Sequence, residues 1–120
     1  MVADTMPEAH IFNSDSIPWT EDGRFPGISF KILESRATHP TTSVVLYQVG
    51  VGVVINTHVH PVETETAYVL AGRGLLVHGE QETVLETGMG VTVPPGLPHS
   101  LRNIGDEPLR LIAMHSPPTR

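Results

Sequence analysis

The sequence predicts an all-β domain, built as a sandwich or a barrel. From Ile28 onward, apolar residues alternate with polar ones at a period of two, a spacing that fits a strand and excludes a helix. Short segments rich in β-branched residues follow one another at intervals of roughly 8 to 12 residues, and turn-forming glycines and prolines separate them. No segment has the spacing of an amphipathic helix. Many short strands with regular turn signals are typical of sandwiches and closed barrels.

Nine strands are expected from this pattern. Their bounds are residues 28–32, 43–49, 53–60, 65–71, 75–78, 82–86, 91–93, 99–103 and 109–115. Residues 53–55 and 67–70 are apolar on both faces, so a second surface must cover the side that would otherwise meet water. The N-terminal segment or a second subunit could provide that cover.

The length of 120 residues allows one compact domain and excludes two. Residues 28–116 are expected to form the barrel. Residues 1–27 begin with a polar stretch without periodicity, and we expect this segment to be partly flexible or to cover an interface.

Composition excludes several classes of function. The absence of cysteine excludes a disulfide framework, a thiolate zinc site and a cysteine nucleophile. The net charge of -6 leaves no basic surface for nucleic acid. The longest nearly apolar run is 12 residues, against the roughly 20 that a membrane-spanning helix needs. Neither a membrane helix nor a signal peptide is expected, which predicts a cytoplasmic protein without a membrane partner.

Histidine is the one unusual feature of the composition. The seven histidines lie at positions 10, 39, 58, 60, 78, 99 and 115. His58 and His60 are two residues apart in an extended segment, so both rings leave the same face with Cβ atoms roughly 6.5 Å apart. Two imidazoles on one face can bind one metal ion, although such a pair alone is weak evidence.

The residues around this pair follow a defined spacing. Written with x for any residue, residues 52–72 read G-x5-H-x-H-x4-E-x6-G, and residues 88–103 read G-x5-P-x-G-x2-H-x3-N, with 15 residues between the two stretches. These stretches resemble the two motifs of the cupin superfamily at every defining position, and the short gap is similar to that of small single-domain members. The resemblance implies a double-stranded β-helix, which is a jelly-roll barrel.

The resemblance also implies a metal site inside the barrel, with His58, His60, Glu65 and His99 as ligands. Three imidazoles and one carboxylate suit one divalent transition metal (Mn, Fe, Ni, Co or Zn) and leave about two positions open on an octahedral ion. Open positions indicate catalysis or ligand binding rather than a structural site. Glu63 shares the face of Glu65, but the six residues between Glu65 and Gly72 favour Glu65.

Other polar residues are candidates for the pocket wall. Tyr47, His78 and His115 could each line the pocket as a proton donor or acceptor, or could instead face outward. Asn103 is expected to tie a strand end rather than to contact substrate. Arg102 lies three residues after His99, so it is expected on the opposite face of the strand.

Strand parity predicts an apolar pocket. Ala67, Val69, Ala71 and Leu101 share the inward parity of the ligand strands, and no lysine or arginine of these strands does. Arg110 is the one remaining candidate for a cation. The sequence therefore favours a small, uncharged or chelating organic ligand and disfavours a phosphorylated one.

Three classes of function fit these features. The first is a metal-dependent oxidoreductase, most simply a dioxygenase that acts on a chelating enol, catechol or diketone. The second is a lyase, decarboxylase or isomerase in which the metal acts as a Lewis acid. The third is a non-enzymatic module that senses a small ligand or a metal. The fold does not decide among them.

A homodimer is predicted from the outward parity of Tyr68 and Leu70, because a lone barrel would leave these large apolar groups in water. Sedimentation at micromolar concentration should give about twice the chain mass of 13.0 kDa. A monomer mass would contradict the prediction.

Overall fold

A computed structural model describes residues 6–120 and places ten strands in two antiparallel sheets. The strands are β1 (Thr20–Glu21), β2 (Ile28–Glu34), β3 (Ser43–Val49), β4 (Val54–His58), β5 (Thr64–Ala71), β6 (Arg73–His78), β7 (Gln81–Glu86), β8 (Gly90–Val93), β9 (His99–Asn103) and β10 (Leu109–Ser116). The larger sheet has the order β1-β2-β3-β10-β5-β8, and the smaller has the order β4-β9-β6-β7. A 3₁₀ turn at Ser14–Ser16 is the single helical element of the described chain. The predicted all-β barrel is therefore confirmed.

All nine expected strands are present, and β3 and β9 have the expected bounds. The short strand β1 was not expected, because two residues cannot show a periodicity. It pairs with β2 through Thr20 opposite Phe30, so sheet pairing begins before residue 28. The role of residues 1–27 in flexibility or at an interface stays a prediction, and residues 1–5 of that segment lie outside the described residues.

Strand pairing brings the ends of four strands to one end of the barrel. In the smaller sheet, His58 at the end of β4 lies opposite His99 at the start of β9. In the larger sheet, Glu65 near the start of β5 lies opposite His115 near the end of β10. Residues far apart in the chain therefore meet where the two sheets approach each other.

The core lies between the sheets, and burial alternates along β10 and in the second half of β5. In β10, Leu109, Leu111 and Ala113 are buried at every second position, whereas Arg110 and Met114 point outward and are exposed. The same alternation buries Ala67 and Val69 of β5 and exposes Tyr68 and Leu70. Period-two burial places one face of each strand in the core, which is the physical reason that the sequence pattern predicts the strands.

Two glycines of the motifs have the turn conformations expected of them. Gly72 joins β5 to β6 with φ of +90°, and a Cβ there would lie 3.0 Å from the carbonyl oxygen of Pro108. Gly96 has φ of +85°, and its N–H donates to the carbonyl oxygen of His60 at 2.9 Å. Both positions favour glycine because L-side chains rarely adopt positive φ.

The outer face of the larger sheet carries exposed apolar side chains. Tyr68 is 45% exposed and Leu70 is 44% exposed, in keeping with their expected outward orientation. The homodimer itself stays a prediction. Within residues 6–120, no helix is long and apolar enough to cross a membrane.

Asn103 holds together three backbone segments, as expected. Its side chain is buried, donates to the carbonyl oxygens of Val49 and Glu107 at 3.0 and 2.8 Å, and accepts from the N–H of Gly105 at 2.9 Å. Asn103→Ala should lower the free energy of unfolding by about 1–3 kcal/mol, because buried partners lose their hydrogen bonds. Arg102→Ala, on the adjacent exposed position, is the control and should change it by less than about 0.5 kcal/mol. Equal unfolding midpoints in denaturant for both variants would contradict this role.

Candidate metal centre

Four side chains converge at the end of the barrel where the sheets meet. One donor atom each from His58, His60, Glu65 and His99 lies within 4.8 Å of the others. His58 and His99 come from the smaller sheet, Glu65 comes from the larger one, and His60 lies in the connection between β4 and β5. Such a cluster could hold a metal ion. Glu65 is the carboxylate of this cluster, and Glu63 is not part of it.

Backbone carbonyls orient two of the imidazole rings. His58 Nδ1 lies 2.8 Å from the carbonyl oxygen of Asn56, and His99 Nδ1 lies 2.9 Å from that of Leu97. An Nδ1–H that donates to a carbonyl leaves Nε2 as the nitrogen that can bind a metal, which is a common second-shell arrangement.

One carboxylate oxygen of Glu65 is the centre of the cluster. His60 Nε2, His99 Nε2 and His115 Nε2 lie 3.2, 3.1 and 3.4 Å from Glu65 Oε1. The side chains of Glu65 and His99 are 14% and 6% exposed, so this contact is shielded from water. Two of these imidazoles, His60 and His99, belong with Glu65 to the cluster that could hold a metal, and His115 lies beside that cluster.

His115 adds an unsatisfied group beside this cluster. It is buried; its Nε2 forms an ion-pair contact with Glu65 Oε1 at 3.4 Å, and its Nδ1 has no partner among residues 6–120. Its ring packs edge-on against His60 with 4.8 Å between centroids. A buried nitrogen without a partner is costly. The period-two pattern of Leu111 and Ala113 was a sequence signal for this inward placement.

The pKa shifts of most of the proposed ligands favour the protonation state that binds a metal. Burial lowers the pKa of both His58 and His60, which keeps their imidazoles neutral at neutral pH. Burial by itself raises the pKa of Glu65, but the His115 and His99 rings outweigh it and hold that pKa well below its usual range. The carboxylate is therefore ionised.

His99 behaves differently from the other two histidines. Burial lowers its pKa, but hydrogen bonds to Glu65 and to the Leu97 carbonyl oxygen outweigh burial, and its pKa is raised. Both ring nitrogens face acceptors, an arrangement that stabilises the doubly protonated ring. A metal would have to displace one of these protons.

The remaining candidate residues divide between the cavity and the surface. A cavity of about 380 Å³ extends from the cluster between the sheets, and Tyr47 and His115 both line it. His78 does not line it, and its Nε2 lies 2.9 Å from the Thr83 hydroxyl oxygen. Asn103 lies outside the cavity, in keeping with its structural role.

The cavity wall is mostly apolar, as predicted. Ala67, Val69 and Leu101 line it, whereas Ala71, at the far end of β5, does not. Further apolar lining side chains come from both sheets, namely Ile28, Ile55, Leu76, Leu85, Val91, Val93 and Leu111. The polar cluster therefore occupies one part of an otherwise apolar chamber.

The expectation that Arg110 is the one candidate for a cation in the cavity is wrong. Arg110 is exposed and stacks over the Trp19 ring at 5.3 Å, whereas Arg24 and Arg120 line the cavity. Both arginines lie outside the strands of the two motifs, in segments without periodicity, so no sequence signal placed them there. The argument against anionic ligands therefore falls.

Metal binding should release protons near neutral pH. The raised pKa of His99 keeps a second proton on its ring, and that proton must leave when the ring binds the metal. The release should shrink as the pH rises through that raised pKa, and affinity should weaken below about pH 6 as all three imidazoles gain protons. Calorimetric titration with zinc chloride in buffers of different ionisation enthalpy measures both effects. A zinc affinity that is constant between about pH 7.5 and 5.5 would contradict the assignment.

Comparison with curated proteins finds relatives in actinomycetes and archaea. Protein SchB of Streptomyces halstedii is 32% identical over 113 residues, which cover 90% of this chain and 78% of SchB. A polyketide synthase, CurC of Streptomyces cyaneus, is 39% identical over 64 residues, or 52% of this chain and 41% of CurC. A protein of Methanocaldococcus jannaschii is 34% identical over 61 residues. The match spans 51% of this chain and only about half, 49%, of that relative.

Solved structures of low sequence identity share the fold. KdgF from a Halomonas species superposes with a TM-score of 0.83 at 21% identity, covering 92% of this chain and 94% of KdgF. A predicted oxalate decarboxylase from Thermotoga maritima gives 0.81 at 21% identity, covering 89% and 98%. The polyketide cyclase RemF from Streptomyces resistomycificus gives 0.78 at 14% identity, covering 91% and 80%.

The family assignment follows from the matched region. The sequence profile described as "Cupin domain" matches residues 44–115, which include both motifs and all four residues of the cluster. The two-sheet barrel and its structural neighbours agree with that match. The chain belongs to the cupin family.

Proposed function

We propose that this protein is a metal-dependent enzyme that acts on a small organic substrate which chelates the metal through adjacent oxygens. Dioxygenase-type oxidation is the reaction that we favour. His58, His60, Glu65 and His99 are the proposed ligands of one divalent transition metal.

The observation that carries this proposal is the position of the four donor atoms. They lie within 4.8 Å of one another beside a cavity of about 380 Å³, so a bound ion would face the chamber. Four protein ligands leave open positions on an octahedral ion, which is typical of catalytic rather than structural sites. A bound metal would supply Lewis acidity and, if it is redox-active, a binding position for O₂.

The residues of the chain have separate tasks in this scheme. Glu65 and the three histidines hold the ion, and the Nδ1 contacts with Asn56 and Leu97 keep two of the rings oriented. The apolar wall, with Val69 and Leu101, excludes water from the reacting part of the substrate. The cavity size suits a small molecule and is too small for a macromolecular segment.

A second candidate is a non-oxidative reaction, such as isomerisation, decarboxylation or cyclisation of a carbonyl compound. The similarity to CurC, which is named as a polyketide synthase, supports it. RemF, which is named as a polyketide cyclase, shares the fold. Poly-carbonyl compounds also chelate metals through 1,3-related oxygens, so both candidates predict the same binding mode and differ in their use of O₂.

The metal site is tested by elemental analysis of protein purified without added metal. His99→Ala should lose most of the metal because it removes one of four ligands. His39→Ala is the matched control, since this exposed histidine is engaged with Thr41 outside the cluster, and it should keep the wild-type metal content. Full occupancy in His99→Ala would show that the ligand assignment is wrong.

Ligand binding is tested by titrating 2,4-pentanedione into metal-loaded and metal-stripped protein. The diketone should bind only to the loaded form, because chelation requires the ion. Equal binding to both forms would overturn the proposed function. Oxygen consumption with bound iron or manganese would support the dioxygenase, and turnover of a carbonyl substrate without O₂ would support the second candidate.

A further inference from the structure

The cavity has a second polar region formed by residues from outside the two motifs. Asp22, Arg24, Tyr47 and Arg120 all line the same chamber as the proposed metal ligands. Asp22 and Arg24 lie in the turn between β1 and β2, Tyr47 lies in β3, and Arg120 follows β10. Two cations and a phenol in a mostly apolar chamber are recognition elements that the proposed metal chemistry does not use.

Arg120 is held in place by several contacts. Its Nη2 donates to the Tyr47 hydroxyl oxygen at 3.1 Å, and its guanidinium lies over the Phe30 ring, 4.2 Å from the centroid. The backbone is anchored as well, since the Arg36 N–H donates to the Arg120 carbonyl oxygen at 2.9 Å. The Thr119 N–H donates to the buried Ser43 hydroxyl at 3.1 Å. The guanidinium is therefore a preorganised group rather than a free surface arginine.

The charges at this end of the cavity do not cancel. Asp22 is buried and forms a two-pronged pair with Arg24, with Nε–Oδ1 and Nη2–Oδ2 distances of 3.1 Å each. That hydrogen bonding lowers the pKa of Asp22, so the carboxylate is ionised and neutralises one arginine. Arg120 is farther away, 3.7 Å from Asp22 Oδ2, and its side chain is 20% exposed. Among these three side chains one positive charge remains, while the ionised Glu65 lies with the metal cluster in another part of the chamber wall.

Arg120 and Tyr47 both retain donors for a ligand. Within the described chain, the Arg120 side chain makes one hydrogen bond, to Tyr47, and a guanidinium has five N–H donors. The Tyr47 oxygen accepts from Arg120, which leaves its own O–H free to donate. A guanidinium and a phenol side by side match the two oxygens of a carboxylate.

We propose that Arg120 and Tyr47 form an acid-binding subsite that selects chelating substrates carrying a second carboxylate. This inference rests on the proposed function, because it assigns one end of the substrate to the metal and the other end to Arg120. The substrate class that it specifies is a dicarboxylate with a 2-oxo or 2-hydroxy group beside one carboxylate. Such a ligand would place its apolar carbon chain along the Val69 and Leu101 wall.

The test uses pairs of 2-oxo acids with equal chain length and either one or two carboxylates. The pairs are 2-oxopentanoate with 2-oxoglutarate, and 2-oxohexanoate with 2-oxoadipate. Calorimetric titration of zinc-loaded protein should show that at least one diacid binds about tenfold more tightly than its monoacid, because it gains a charge-assisted bidentate contact. The monoacids should bind because chelation requires only the metal.

Variants test whether the higher affinity for the diacid comes from the proposed subsite. Arg120→Gln should abolish the preference for the diacid and Tyr47→Phe should reduce it, in each case because diacid binding weakens more than monoacid binding. Arg110→Gln is the matched control, since it removes the same charge from an exposed arginine over Trp19 and should keep the preference. Circular dichroism of each variant shows whether it is folded, and 2-oxopentanoate affinity shows whether its metal end is intact.

The outcomes separate the two proposals. Equal affinity for both members of every pair in the wild-type protein would overturn the subsite and leave the metal function standing. A preference that Arg110→Gln removes as fully as Arg120→Gln would also overturn it, because the effect would be one of overall charge. If no 2-oxo acid and no diketone binds to the loaded protein, both proposals fall.

Discussion

The shielded carboxylate of Glu65 is the constraint on which the rest of this barrel depends. A carboxylate with 14% exposure is costly unless opposite charge or hydrogen bonds compensate it. The compensating imidazoles come from β9, from β10 and from the connection after β4, which belong to both sheets. The two sheets can bring these imidazoles to the Glu65 oxygen only if the strand ends meet. Compensation of the buried Glu65 charge is therefore coupled to closure of the barrel.

The same coupling explains why polar chemistry is confined to one part of an apolar chamber. Strand parity buries Ala67 and Val69 directly after Glu65, and it buries Leu101 after His99. In β5 and β9 the ligand therefore lies at or near the start of the strand, and the next inward position is apolar. A metal in the cluster would lie in a poorly hydrated environment, where electrostatic interactions are stronger than in water. This arrangement favours ligands that present oxygens at one end and hydrocarbon along the middle.

The segments outside the two motifs supply the arginines of the cavity wall, which the motif strands do not contribute. The β1–β2 turn brings Asp22 and Arg24 to the cavity, and the chain after β10 brings Arg120 against Tyr47. The turn glycines and the clustered ligands belong to the two motifs, whereas these charged residues lie outside them. Selectivity for one class of ligand is therefore expected to depend on residues that lie outside the two motifs.

The sequence alone predicted nine of the ten strands of the described chain from local periodicity, and the resemblance of its two motifs to those of cupins implied the barrel and the four clustered side chains. Period-two alternation decides which face of a strand is buried, and fixed glycine and proline positions decide where strands end. The tertiary structure alone decided that His115 lies beside Glu65, that His78 is engaged elsewhere, and that Arg120 rather than Arg110 enters the cavity. The physical reason is that these placements depend on which strands become neighbours and how nonperiodic segments fold back over them, and no local pattern encodes either.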